Sequence, residues 1–252
     1  MLSFINIASG SRGNATLVYN EDSLILLDMG VPKKLLLEGL KKIGKKYQDI
    51  QAVLITHSHN DHIACLNRLH DDFPIYAGMG VAKGECSAVV FPGIGFDVGS
   101  IYIVPIEASH DAVSPLGYVF CKGTERIVYL TDTGVVRESV LPYIANSEYY
   151  IIESNHDVGL LLHSNRPKSL KDRILGSKGH LSNEQSALAM AVAVGPRTKK
   201  IYLAHLSEEC NSPELAIETY KKVFRRRDVD FDTIDDLVVL SQHEMTKGGD
   251  IR

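Results

Sequence analysis

Three histidines and an aspartate lie within six residues of each other, in the segment 56–62, which reads THSHNDH. The segment directly follows a short aliphatic run that is typical of a buried strand. In an extended stretch, His57 and His59 point to the same side and can hold one metal ion. Asp61 and His62 turn into the next helix and can face a second ion, because imidazole and carboxylate groups both bind first-row divalent metals. The segment therefore predicts a metal centre at the end of a strand.

The same arrangement recurs along the chain. Short apolar runs, each predicted to be a buried strand, occupy residues 24–27, 52–55, 101–106, 127–130, 149–152 and 201–204. The next notable polar residues after these runs are, in order, Asp28, His57, His110, Asp132, Glu153 and His205. Strands of a shared sheet can place such residues along one edge, so the pattern predicts that distant positions converge on one site.

Helices are predicted between these strands. Residues 33–46 carry leucines on one face and lysines on the other. Ser182 begins a second helix, with Gln185 completing a capping box, and Ser212 followed by Pro213 begins a third that runs to about Phe224. Strands and helices mixed in this way predict a layered α/β domain. The polar residues 246–252 are expected to form a loose tail.

The composition sets broad limits. With 252 residues, 44% of them hydrophobic, the chain can bury one large core, and its net charge of −4 does not indicate a nucleic-acid binder. No apolar run is long enough to span a bilayer, and the first residues lack the pattern of a signal peptide. The four scattered cysteines, Cys65, Cys86, Cys121 and Cys210, favour free thiols in a reducing compartment. We therefore expect a cytoplasmic protein that does not bind membranes.

The histidine segment and the residues that follow the strands resemble the metallo-β-lactamase superfamily. The resemblance implies that Asp28 orients the histidine loop and that His110 completes the first metal site. It further implies that Asp132 bridges both metals and that His205 completes the second site. The metal ligands it implies are His57, His59, Asp61, His62, His110, Asp132 and His205.

The resemblance also implies the fold and the cofactors. The fold is an αβ/βα four-layer sandwich in which two facing mixed β-sheets are flanked by helices, and residues 1–252 form a single domain. The cofactors are two divalent metal ions per chain, with Zn²⁺ expected first and Mn²⁺ or iron as alternatives.

Three further segments narrow the resemblance to the YycJ/WalJ-like branch: the glycine-rich residues 8–14, residues 153–157 and residues 178–183. The branch implies a 5′→3′ exonuclease that acts on DNA through a hydroxide bridging the two metals. His59 replaces the glutamate typical of oxygen-reducing members, and Asp132 replaces the cysteine usual in antibiotic-cleaving members. Asp132 and His205 are only 73 positions apart, which leaves no room for the β-CASP insert of RNA-processing members.

Several residues outside the metal-ligand set are candidates for substrate contacts, and structural roles are the alternative. The candidates are Ser11, His156, His180, Ser182, Arg166, Lys168 and Arg173. Ser182 begins a helix, where free N–H groups favour a phosphate, and His180 is expected to protonate a leaving oxygen, with Asp61 and Asp28 as the other catalytic positions. Alternatively, His180 bonds to its own turn, Ser11 belongs to a simple hairpin, and the basic segment 166–173 is a solvated surface.

Two other functions remain open at this point. A thioester or ester hydrolase similar to glyoxalase II would use the same metals on a small acyl substrate. A nucleic-acid-binding or regulatory protein could keep the fold without turnover. The sequence leaves the physiological metal, the strand polarity and the oligomeric state undetermined.

Overall fold

The computed structural model describes residues 1–69, 72–81, 87–229 and 237–250. Within these residues the first strands are β1 (Ser3–Ala8), β2 (Ala15–Tyr19), β3 (Leu24–Leu27), β4 (Ala52–Ile55), β5 (Ile75–Ala77), β6 (Ala88–Val89) and β7 (Phe96–Val98). The remaining strands are β8 (Ile101–Glu107), β9 (Leu116–Lys122), β10 (Glu125–Leu130), β11 (Tyr149–Glu153), β12 (Lys200–Ala204), β13 (Leu237–Val239) and β14 (Thr246–Gly249). The helices are α1 (Lys33–Lys42), α2 (Asn60–Ile63), α3 (Leu141–Ile144), α4 (Val158–His163), α5 (Lys168–Leu175), α6 (Asn183–Ala193) and α7 (Pro213–Arg226).

The strands form two sheets of seven strands each. One sheet has the order β14-β1-β2-β3-β4-β5-β6, and the other has the order β13-β12-β11-β10-β9-β8-β7. Both sheets are mixed, since each contains parallel and antiparallel pairs. The predicted fold class, two mixed sheets with flanking helices, is confirmed. Among the described residues, no helix is long and apolar enough to cross a membrane.

The chain divides into two compact units. The first unit comprises residues 1–107, 112–127 and 240–252, and the second comprises residues 108–111 and 128–239. In the first unit β3, β4, β5 and β6 are parallel neighbours. Residues of β3 and β4 are buried throughout, which explains why these strands are unbroken apolar runs. Their register pairs Leu27 with Leu54, so both strands end at the same edge.

The predicted loose tail is a strand. β14 pairs antiparallel with β1, with Phe4 opposite Gly248, and the Asp250 N–H donates to the Leu2 carbonyl at 3.0 Å. The prediction was wrong because it considered side-chain polarity, whereas β1 is fully buried and its backbone requires a partner on that side. Gly249 permits the pairing, since its φ is +84° and a Cβ there would lie 2.6 Å from the Leu2 carbonyl oxygen. Residues 251–252 of the predicted tail, and Cys86, lie outside the described residues.

In the second unit β11, β12 and β13 are parallel, and the register places Glu153 opposite Ala204. Glu153 ends β11 while Ala204 ends β12 and precedes His205, so the carboxylate and the imidazole start from adjacent strand ends. Helices α6 and α7 pack against one another in this unit, where the Ser186 and Tyr220 hydroxyls lie 2.5 Å apart. The position of the site is therefore set by strand register.

The six predicted strands are all present, and so are the predicted starts of α6 and α7. Ser182 accepts from the Gln185 N–H in a capping box, and Ser212 accepts from the Leu215 N–H ahead of Pro213. Helix α1 is shorter than predicted, because it ends at Lys42 rather than at residue 46. Gly44 follows with a φ of +68°, a left-handed conformation that commonly ends a helix.

Candidate metal centre

In the first unit, Asp28 holds the start of the histidine segment. It follows β3, is fully buried, and its Oδ1 accepts a 2.8 Å hydrogen bond from the Thr56 N–H at the end of β4. Its Oδ2 lies 2.9 Å from the Thr56 hydroxyl and 2.8 Å from His62 Nδ1. Burial raises the pKa of Asp28, although the hydrogen bonds with His62 and Thr56 oppose this effect. The predicted orienting role of Asp28 agrees with these contacts.

The three histidines of the segment lie together. The ring centroids of His57 and His59 are 4.7 Å apart, and those of His57 and His62 are 4.1 Å apart. His59 begins the single-turn helix α2, which turns the Asp61 carboxylate to within 3.5 Å of His62 Nε2. The first unit therefore gathers all four residues of the predicted motif.

The glycine-rich residues 8–14 brace this segment, a role that sequence reasoning missed. The Asn14 N–H donates to the Asp61 carbonyl at 2.7 Å, and its side-chain amide lies 3.2 Å from Asp61 Oδ2 and 3.0 Å from His62 Nε2. Gly30 makes the approach possible, since a Cβ there would lie 1.7 Å from the Asp61 carbonyl oxygen. Ser11, at the exposed tip of the hairpin, makes none of these contacts among the described residues. The one available signal was the density of glycine beside an asparagine.

In the second unit, Glu153 binds two histidines at once. Its Oε1 accepts hydrogen bonds from His180 Nδ1 at 2.8 Å and from His205 Nδ1 at 2.9 Å. Its Oε2 accepts from the N–H groups of Thr133 at 2.9 Å and Leu181 at 3.1 Å. Glu153 is fully buried, and its carboxylate fixes the orientation of both imidazole rings. The sequence left its role open between metal-ligand support and a charge at a strand end.

The charges in this cluster favour an ionised carboxylate. Burial raises the pKa of Glu153, but the neighbouring His180 and the hydrogen bonds from His180 and His205 outweigh burial and lower it to about 2. Burial lowers the pKa of His180, yet the same carboxylate and Asp132 more than compensate, and the pKa is raised. The buried Glu153 and the partly exposed His180 therefore form a pair in which protonation of the imidazole is favoured.

Asp132 and His110 complete the set in the second unit. Asp132 Oδ1 lies 3.5 Å from His205 Nδ1, 3.8 Å from His180 Nδ1 and 3.9 Å from His110 Nε2. Ligand-type atoms of Asp132, Glu153, His180 and His205 all lie within 4.8 Å of one another. Burial lowers the pKa of His110, which keeps this imidazole neutral and suitable as a metal ligand.

Five histidines of the two units have the same hydrogen-bonding pattern, in which Nδ1 is bonded to a protein oxygen. The partners are Thr56 Oγ1 for His57, Asp28 for His62, the Gly179 carbonyl for His110, and Glu153 for both His180 and His205. In each of these rings Nε2 is the nitrogen left for an ion, although in His62 the Asn14 amide also lies 3.0 Å from Nε2. Histidine ligands of metals commonly donate their other N–H to such an oxygen, so the donor set fits divalent transition metals.

Three of the residues that follow strands have a left-handed backbone. The φ angles are +60° at Asp28, +52° at Asp132 and +56° at His205. Residues other than glycine seldom adopt this conformation, and it concentrates at functional sites where the surroundings enforce it. Each strand thus ends in a sharp turn that directs one polar side chain away from the strand.

Two of the basic side chains in the segment 166–173 that were predicted to contact substrate form ion pairs with acidic side chains. Arg166 Nε donates to Glu209 at 2.8 Å, and Arg173 donates to both oxygens of Asp111 at 2.5 and 3.1 Å. Asp111 follows His110, so Arg173 lies beside the metal-ligand candidate. Lys168 is exposed at the start of α5.

His156 and Ser182 lie side by side, joined by a parallel β-bridge. The Ser182 hydroxyl is committed to capping α6, and its side chain is buried. His156 is fully buried, and burial lowers its pKa to about 4. Among the described residues, neither of its ring nitrogens has a hydrogen-bond partner. His156 is therefore outside the group that Glu153 organises.

Comparison with known proteins defines the class. The family model for the β-lactamase superfamily domain matches residues 26–206, which is well over half of the chain and spans Asp28 to His205. The chain therefore belongs to the β-lactamase superfamily. YhfI of Bacillus subtilis, a metallo-β-lactamase fold protein, superposes with a TM-score of 0.70 over 98% of this chain and 99% of its own, at 17% identity. At this identity the likeness shows the fold alone.

Two relatives define the branch. The exodeoxyribonuclease WalJ of Streptococcus pneumoniae is 37% identical over 247 residues, covering 91% of this chain and 92% of its own. The exodeoxyribonuclease YycJ of Bacillus anthracis is 34% identical, covering 90% of each chain. Within the superfamily, the WalJ and YycJ proteins form the branch to which the chain is assigned, and the predicted resemblance is confirmed.

Proposed function

We propose that this protein is a metal-dependent phosphodiesterase that removes nucleotides from DNA in the 5′→3′ direction. Two curated relatives named exodeoxyribonucleases match almost the entire chain, and this supports the choice of substrate over a small thioester. The main structural support for a metal-dependent enzyme is that Glu153, at the end of β11, accepts hydrogen bonds from two histidines. A buried carboxylate that fixes two imidazoles is suited to a metal centre.

The proposed ligands follow the motif of the superfamily. His57, His59 and His110 would hold the first ion, Asp61, His62 and His205 would hold the second, and Asp132 would serve both. Zn²⁺ suits this set best, and Mn²⁺ or iron are the alternatives. When bound, such ions supply a hydroxide nucleophile at neutral pH and neutralise charge on the phosphoryl oxygens.

The remaining residues position groups or move a proton. Asp28 and Thr56 hold the rings of His62 and His57 in the first unit. Glu153 stabilises the protonated form of His180, whose side chain is 17% exposed and thus reachable. We assign to His180 Nε2 the proton that passes to the leaving 3′ oxygen of the departing nucleotide.

Hydrolysis of a DNA oligonucleotide by metal-loaded protein tests the proposal. We expect activity with Zn²⁺ or Mn²⁺, none with EDTA, and none in a His57→Ala variant. His163→Ala is the matched control, because His163 is an exposed histidine at the end of α4 whose Nδ1 bonds to the Gly159 carbonyl. Full activity of His57→Ala without bound metal would refute the proposal.

A further inference from the structure

A polar cavity of about 190 Å³ lies in the second unit at the start of α6. We call it the α6 pocket, and its lining includes His156, Ser182, Glu184, Lys222 and Arg226. This volume is well above the roughly 10–15 Å³ that a single water needs, which leaves room for a phosphate group and its oxygens. The metal-ligand candidates are not among the lining residues.

His156 is the reason to expect a ligand there. The side chain is fully buried, lines the pocket, and has no hydrogen-bond partner for either ring nitrogen among the described residues. A buried polar group without a partner is costly, and native structures rarely keep one unless water or a ligand satisfies it. The neutral imidazole can donate one N–H to an oxygen of a bound group.

The other lining groups favour an anion. The Glu184 N–H lies in the first turn of the 11-residue helix α6, between the Asn183 N–H, which bonds to the His156 carbonyl, and the Gln185 N–H, which bonds to the Ser182 hydroxyl. Free N–H groups at a helix start attract anions. Lys222 on α7 is exposed and forms no ion pair within the described chain.

Two acids also border the α6 pocket, and neither closes it to an anion. Asp157 Oδ1 is committed to the Leu160 N–H, which it accepts at 2.8 Å as the cap of α4. Glu184 pairs with Arg226 at 2.9 Å, and both side chains are more than half exposed. An exposed ion pair of this kind is weak and opens readily. A bound anion can therefore replace Glu184 as the partner of the Arg226 guanidinium.

We propose that the α6 pocket binds a phosphate group of the nucleic-acid substrate, contacted by His156, Lys222, Arg226 and the Glu184 N–H. This inference rests on the proposed function for the identity of the substrate. The group is either the 5′-terminal phosphate or an internal phosphodiester, and both present the same oxygens. The pocket would fix the strand beside the segment that carries His180, two residues before Ser182.

Paired variants on α7 and α6 test the proposal by kinetics. Lys222→Gln should raise KM for DNA on the order of tenfold with kcat and metal content unchanged. Lys221→Gln makes the same change one residue away, outside the pocket, and should leave KM unaltered. Glu184→Gln should lower KM, because it removes the competitor for Arg226. Equal KM values for Lys222→Gln and Lys221→Gln would overturn the proposal.

Comparing 5′-phosphorylated with 5′-hydroxyl oligonucleotides separates the two sources of phosphate. If the pocket holds the terminal group, Lys222→Gln raises KM for the phosphorylated strand alone. If it holds an internal group, KM rises equally for both strands. Either pattern supports a phosphate subsite, and the absence of any change contradicts it.

A second readout does not depend on nuclease activity. Titrating the metal-loaded protein with inorganic phosphate should shift the His156 ring resonances, which are assigned by their loss in His156→Gln, and the shift should weaken in Lys222→Gln. If DNA is not hydrolysed but this shift occurs, the proposed function fails and the phosphate site stands. If DNA is hydrolysed while the His156 resonances do not move, the phosphate site fails alone.

Discussion

Glu153 Oε1 accepts a 2.9 Å hydrogen bond from Nδ1 of His205, across the ends of two parallel strands. The same oxygen holds His180, and the other carboxylate oxygen is filled by two backbone N–H groups. The carboxylate therefore sets the direction of both imidazoles without needing to touch a metal itself. Glu153, at the end of a strand, therefore positions these two histidine side chains of the second unit.

The first prediction concerns the charge of that carboxylate. Glu153→Gln should weaken metal affinity or activity by about 10- to 100-fold, because the amide cannot accept from both rings while keeping the bonds to Thr133 and Leu181. Metal affinity is measured by competition with a chelator. Glu138→Gln, the same change at an exposed glutamate, is the control and should match the unmodified protein. Unaltered affinity in Glu153→Gln would contradict the assigned role.

The second prediction separates proton transfer from metal binding. His180→Ala should keep both ions and slow kcat by roughly 10²- to 10⁴-fold, the contribution typical of a positioned acid. Metal content and single-turnover rates on DNA are measured on the same sample. Loss of metal together with activity would instead make His180 a ligand.

The third prediction concerns the close approach at Gly30. Gly30→Ala should destabilise the fold by roughly 3 kcal/mol or more, because the added Cβ would collide with the Asp61 backbone. Gly123→Ala is the comparison, since its Cβ meets nothing within 4 Å and only its φ of +58° is unfavourable, at a cost of about 1–2 kcal/mol. Urea unfolding measures both. Equal losses would show that Asp61 and its loop move aside freely.

The fourth prediction is a pH dependence of stability due to His156. Burial lowers its pKa to about 4 in the folded protein, so the unfolded chain, with a histidine pKa of about 6.5, binds this proton first. The contribution is fully present above pH 6.5 and is lost as the pH falls towards 4, to a total of about 3 kcal/mol.

Urea unfolding between pH 4 and 7, with EDTA present throughout, measures this slope. His156→Gln should flatten it, whereas the exposed His163→Gln should leave it unchanged. Identical slopes for His156→Gln and the unmodified protein would refute the assignment.

The buried strands of this fold could be predicted from the sequence for a physical reason. Strands buried on both faces, such as β3 and β4, must be continuous apolar runs, and parallel strands end together at one edge. The polar residue after each run is therefore conspicuous, as at Asp28 and Asp132. Short or partly exposed strands such as β6 and β7 carry no comparable signal.

Other features depend on contacts between distant positions. Asn14 bonds to Asp61 across 47 residues, and Gly30 is needed because the Asp61 carbonyl and the Asn14 backbone approach it. β14 forms because β1 needs a backbone partner, which side-chain polarity does not reveal. The acidic partners of Arg166 and Arg173 are also distant in the sequence. For this reason the sequence did not predict that these two side chains form ion pairs.

We propose above that the metal-loaded protein shortens DNA from its 5′ end. The most direct measurement follows a 5′-phosphorylated, 3′-labelled oligonucleotide through time with Zn²⁺ or Mn²⁺ supplied. We expect a ladder of labelled products that shorten stepwise from the 5′ end and are absent with EDTA. Intact DNA in the presence of protein that carries two ions per chain would contradict the exonuclease function, and would point instead to a small-molecule ester or thioester as the substrate.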